Sequence, residues 1–145
     1  MKNLLVAIEN CETTTTDSPV VKKALEVADA FSSRIWLVHV VPPSRQPPYN
    51  IDSKVSRHEA ASELRNEHDY LQYLAKCMES KKTDVNALLV QGTIVGSLLK
   101  EAARLESDLV IMGCHKHGRL YGALMDSAEE GLLSKCPCPI MFVPY

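Results

Sequence analysis

Three short apolar runs limit this chain more than any other feature: LLVAI (Leu4 to Ile8), IWLVHVV (Ile35 to Val41) and DLVIM (Asp108 to Met112). Each is rich in β-branched residues, and each is continuously apolar where a half-buried strand would alternate. Such runs suit strands covered on both faces, as in a parallel sheet. ALLV (Ala87 to Val90) and IMFV (Ile140 to Val143) are two further candidates, making five strands. Between them the periodicity turns helical. Ser18 and Pro19 form a helix-start signal, followed by Val21, Ala24, Leu25, Ala28 and Phe31 on one face. From about Val55 to Ser80 a second stripe uses Ala60, Ala61, Leu64, Leu71, Leu74, Ala75 and Met78, with Arg57, Glu63, Arg65, Glu67 and Lys76 mostly off it. A third helix uses Leu98, Leu99, Ala102 and Ala103, and a fourth starts near Ser127 and stops before Pro137.

Strands alternating with helices predict right-handed crossovers and a doubly wound, mainly parallel sheet with helices on both faces. Ligands of such sheets bind beyond the carboxyl ends of the strands, where the winding reverses. The proline-rich stretch PPSRQPPYNIDS (Pro42 to Ser53) leaves the carboxyl end of the second strand, as a lid or as an irregular connection.

At 145 residues and 46% hydrophobic content the chain is expected to form one domain, 1–145, around one core. Its 16 basic and 18 acidic residues leave a formal charge of −2, which gives no global electrostatic case for nucleic acid or an anionic membrane. No apolar run approaches the roughly 20 residues of a bilayer span, and the first strand meets Glu9 before a signal-peptide core forms, so the expected location is the cytoplasm. Cys11, Cys77, Cys114, Cys136 and Cys138 lack the spacing of a disulfide framework. Reduced thiols are expected, with the Cys136–Pro137–Cys138 pair able in principle to oxidise or bind a soft metal.

The opening LLVAIE, the second strand's LVHVV, Gly92, the run SDLVIMG (Ser107 to Gly113), the hydroxyl of Ser127 and the ending CPCPIMFVPY occur in an order and spacing that together resemble a universal stress protein domain over essentially the whole chain. The resemblance implies an adenine nucleotide alpha-hydrolase-like sheet of Rossmann type, with strand order 3-2-1-4-5. In the family's nucleotide-binding branch the fourth strand is followed by G-x2-G-x9-G-[ST], whose amides wrap the phosphates. Laid on this sequence, the first glycine is Gly113, the second falls on Lys116, the third on Asp126, and the hydroxyl on Ser127.

The two replacements differ physically. Lys116 gives up the freedom of glycine but brings a cation within reach of a phosphate. Asp126 adjoins a helix start, whose free amides and partial positive charge are the anion's binding field, and supplies its own carboxylate to them. A phosphate about 4 Å from that carboxylate meets a repulsion of roughly 1 to 4 kcal/mol per unit charge, a several-fold to several-hundred-fold loss of affinity. At the end of the first strand the resemblance assigns an acid to the nucleoside; here it is Glu9, followed by Asn10 and Cys11. Val40 matches the position whose backbone meets adenine, and His115 a histidine that shapes the loop. The nucleotide site, if used, would therefore draw on Glu9, Val40, Gly113, His115, Lys116 and Ser127, with ATP or AMP as ligand and magnesium accompanying ATP.

Cys114, His115 and His117 form half of a metal site without a second half nearby in sequence. His39, inside the second strand, reads as a hydrogen-bonded buried histidine. Lys116, His117, Arg119 and Tyr121 are too small a basic cluster for nucleic acid. No nucleophile, base and orienting acid assemble, so no enzyme is expected. The apolar last strand would lie at a sheet edge, and the expected partner is a second copy of the chain paired through it. The preferred function is a stress-response regulator or interaction module with weakened or absent nucleotide binding. The alternatives are an ATP- or AMP-binding sensor of energy charge using Lys116, and a metal- or redox-responsive switch through Cys114, Cys136 and Cys138.

Overall fold

The structure, a computed structural model, describes residues 1–11, 13–41, 53–114 and 132–144, with the backbone alone at 53–61, 114, 132 and 133. In chain order the elements are β1 (Asn3–Ile8), α1 (Pro19–Phe31), β2 (Arg34–Val41), α2 (Ser53–Met78), β3 (Val85–Gln91), α3 (Ile94–Arg104), β4 (Leu109–Cys114), α4 (Leu132–Lys135) and β5 (Ile140–Pro144). The strands form one sheet in the order β3-β2-β1-β4-β5. Every neighbouring pair is parallel. The expected class and strand order are both present.

The continuous apolar runs have the cause inferred for them. In β1, Leu4, Val6 and Ile8 join one core layer, with Val20, Val21, Ala24 and Ala28 of α1 and Leu71, Leu74, Ala75 and Met78 of α2. Leu5 and Ala7 join the opposite layer, with Val95, Leu98 and Ala102 of α3. Both faces of the central strand are therefore dry, and alternation would have placed polar groups in a core. The edge strand β3 is only half-buried between Asn86 and Val90.

Two helix positions depart from the expected stripes. Phe31 is 52% exposed, because it lies in the last turn of α1 at the amino edge of the sheet, where the chain reverses through Ser32 in the left-handed region (φ 54°). Ala103 is exposed because α3 turns Val95, Leu98 and Ala102 inward, and the residue after Ala102 lies about 100° round the helix. The expected fourth helix is described only over α4; its start lies outside the described residues.

The amino ends of the strands are stitched together. The Asp108 Oδ2 accepts hydrogen bonds from the backbone N–H of Lys2 (2.6 Å) and Asn3 (3.0 Å). The Asp108 N–H in turn donates to the Asn3 carbonyl at 2.8 Å, and the Asn3 side chain donates to the Leu105 carbonyl at 3.0 Å. The Lys2 carbonyl accepts from Arg34 N–H, and the Met1 carbonyl from the Ser33 hydroxyl, both at 2.8 Å.

Candidate functional site

All five strands point the same way, so the carboxyl ends of β1, β2 and β3 and the amino end of α3 share one side of the sheet. The crossover after β1 runs to β2 and the one after β3 returns past β1 to β4, which leaves a crevice at the reversal. Beside it, under α3, a narrow cleft is lined by Ala7, Ile8 and Glu9 from the end of β1, Val38 and Val40 from β2, and Ile94 and Leu98 from α3. It spans about 240 Å³, counting space open to solvent. The walls are apolar, and the single acid at the rim is Glu9, itself engaged in contacts with its neighbours.

Of the residues singled out in the sequence, Glu9 and Val40 are brought together on this cleft. Gly113 is buried near the end of β4, one position past the Ala7–Met112 pair, and is paired with Val143 of β5. His115, Lys116, His117, Arg119, Tyr121, Asp126 and Ser127 lie outside the described residues, as does the stretch 42–52. Cys114 ends β4 beside Pro144, whereas Cys136 and Cys138 precede the start of β5, so the three cysteines do not converge. Among the described residues no three His, Cys, Asp or Glu side chains group as metal ligands.

Behind the cleft, on the other face of β2, His39 is 4% exposed. Its Nδ1 donates to the Ile8 carbonyl at 2.9 Å, since a carbonyl can only accept; this fixes the tautomer. Nε2 then faces the Glu67 Oε2 at 3.6 Å, with the Glu67 side chain 13% exposed. His39 is thus the buried, hydrogen-bonded histidine expected. Glu67, expected off the α2 stripe, lies on it, and the correction has a simple cause. Leu64, Glu67, Leu71, Leu74 and Met78 follow the 3, 4, 3, 4 spacing of one helix face, so the backbone carries the acid inward to a polar partner. An isolated histidine inside an apolar strand was the signal that a partner must exist.

The turn from β3 into α3 aims the cleft's outer wall. Gly92 adopts φ +151°, and its N–H donates to the Val41 carbonyl at 3.0 Å, tying the turn to the end of β2. A Cβ at this position would stand 2.7 Å from the Ser97 hydroxyl, a buried group on the first turns of α3. Ile94 and Leu98, which sequence reading treats as ordinary core or leaves unassigned, reach the cleft through this turn.

A doubly wound parallel sheet with its crevice at the β1–β4 reversal defines the Rossmann-like class of α/β proteins. Within that class the chain belongs to the universal stress protein family, whose family model matches residues 1–144. A universal stress protein of Thermus aquaticus is 25% identical over 145 residues, covering 98% of both chains. Among solved structures, a universal stress family protein of Burkholderia pseudomallei superposes with a TM-score of 0.66 at 21% identity, over 99% of this chain and 96% of that one. The Archaeoglobus fulgidus universal stress protein, solved in complex with dAMP, gives 0.61 at 14% identity over 99% and 98%. No helix among the described residues is long and apolar enough to cross a membrane.

Proposed function

We propose that this chain is a non-enzymatic stress-response module of one domain, working in the cytoplasm as a homodimer, in which adenine-nucleotide binding is weakened or lost. The observation that carries this reading is Asp126. Where the family's phosphate loop has its third glycine, this sequence has Asp126 next to Ser127, and at the helix start that the sequence leads one to expect there a carboxylate would compete with a phosphate for the free amides.

The edge position of β5 favours the homodimer. Phe142 is 38% exposed on a strand whose outer edge has no neighbour among the described residues. A second copy is the occupant that offers the same unpaired ladder in return.

A second reading is favoured by the dAMP complex of the Archaeoglobus relative. Here the chain binds ATP with magnesium, or AMP, through Glu9, Val40, Gly113, His115, Lys116 and Ser127, with Lys116 replacing by charge what the missing glycine gave by shape. Thermal melting separates the two readings. A ligand that binds only the folded state adds about 2.7 kcal/mol of stability at 100 times its Kd. The first reading expects no rise in melting temperature with millimolar ATP and magnesium or with AMP, and a rise once Asp126→Gly removes the carboxylate. A rise in the unaltered protein that Lys116→Ala abolishes establishes the second.

A further inference from the structure

The geometry points to a reversible disulfide between Cys136 and Cys138, formed by exchange with a low-molecular-weight disulfide and placed at the amino edge of the sheet, away from the cleft. The two sulfurs stand 3.9 Å apart, in contact, on half-exposed side chains. The chain bends at Pro137 and Cys138, and the fixed φ of Pro137 holds the two cysteines on the same side of that bend. Closure to the roughly 2.0 Å of a disulfide needs the sulfurs to approach by about 1.9 Å.

The surroundings order the two steps. Burial, followed by the neighbouring Cys136 and by Asp108, pushes the Cys138 thiol up to about 12. A thiol held so high offers little thiolate, so the first attack falls to Cys136. The Cys136 sulfur, having given its proton to water, attacks one sulfur of the small disulfide R–S–S–R. The Cys136–S–S–R bond forms, the S–S bond of the reagent breaks, and R–S⁻ leaves. With Cys136 converted to a mixed disulfide, burial still raises the second thiol, but the Cys136 charge and hydrogen bond no longer add to it, and a disulfide sulfur now stands beside it. Cys138 loses its proton and attacks the Cys136 sulfur, forming the intramolecular bond and expelling the second R–S⁻. In sum, two protein thiols are oxidised and one small disulfide is reduced to two thiols, so electrons and protons balance.

Two thiolates about 2.3 Å from one zinc would stand at a similar separation, yet a closed site needs further ligands. Among the described residues none assembles with the pair. The nearby Asp108 carboxylate is occupied by the amides of Lys2 and Asn3. A disulfide needs only the two sulfurs. The position gives closure a structural target: Pro139, next to Cys138, offers the carbonyl that accepts the Val110 N–H at 3.0 Å, at the first rung holding β5 to the sheet.

The full chain is equilibrated in buffers of reduced and oxidised glutathione, quenched with acid, alkylated and digested without reduction. The peptide carrying both cysteines is expected to lose both alkylation labels and two hydrogens as the buffer becomes oxidising, and to regain both labels in excess reduced glutathione. Cys138→Ser is expected to stop at a glutathione adduct on Cys136, and Cys136→Ser is expected to give no peptide that loses two hydrogens. Retention of both labels at every ratio overturns the proposal. So does linkage of either cysteine to Cys11, Cys77 or Cys114, or stoichiometric zinc in the isolated protein that shields both thiols. Because the peptide readout is made on the unaltered chain, it stands even where a variant fails to fold.

Discussion

Replacing Gly92 by alanine tests how the wall of the cleft is set. The backbone at φ +151° lies where side chains with a Cβ are rarely found, at a cost on the order of 1–3 kcal/mol. The new methyl group would also meet the Ser97 hydroxyl at 2.7 Å. Ser97 is 7% exposed, so moving it disturbs the packed start of α3, adding about 1 kcal/mol. The sum is about 2–4 kcal/mol, read as a lower midpoint in urea unfolding at constant slope. The double variant Gly92→Ala/Ser97→Ala separates the contributions: it is expected to recover about 1 kcal/mol relative to Gly92→Ala and to leave the backbone cost in place. A Gly92→Ala protein within about 0.5 kcal/mol of the parent would refute the account of this turn. Full recovery in the double variant would refute the backbone share of it.

Other outcomes follow from the sheet's two ends. The amide N–H groups of Asn3 and Lys2 hold the Asp108 carboxyl below its ordinary value, so its contribution is fully present above about pH 4 and is lost as pH falls through the folded value. Asp108→Asn is therefore expected to lower stability by about 1 kcal/mol at neutral pH, discounted for the exposure of this site, and to make the loss of stability in acid less steep in pH-titrated unfolding. At the edge strand, the proposed pairing through β5 predicts that Phe142→Lys lowers the mass seen in light scattering from that of two chains to that of one, with the melting curve of the dilute protein unchanged; an unaltered mass would exclude that pairing.

The fold was legible because burial on both faces leaves a mark that does not depend on detail: LLVAI and the LVIM of Leu109 to Met112 have no polar residue to offer to solvent, and both are interior strands of the sheet. Strand order was not written in periodicity; it came from the resemblance, since parallel pairing is settled by crossovers far apart in sequence. Glu9 and Val40 were found by their place at strand ends. Ile94 and Leu98 were not assigned to the site, since a helix residue at a crevice carries the same apolar pattern as one in the core. Glu67 was misplaced for a different reason. Its charge argues for the solvent face, whereas the 3, 4, 3, 4 interval through Leu64, Leu71, Leu74 and Met78 includes it in the inward one. Asp108 looked like the polar boundary of an apolar run, and only the paired amides of Lys2 and Asn3 reveal that it fastens two strands.

The stitching of Met1, Lys2 and Asn3 to Ser33, Arg34 and Asp108 has a practical consequence for experiments on the cleft. A fluorophore or affinity handle joined ahead of Met1 emerges at the far edge of the sheet, roughly 20 Å from Glu9 along the six residues of β1. The end of β5 at Pro144, by contrast, lies on the crevice side, paired with Cys114. Titrations of small molecules are best made with the former, and reporters meant to sense occupancy belong on the latter.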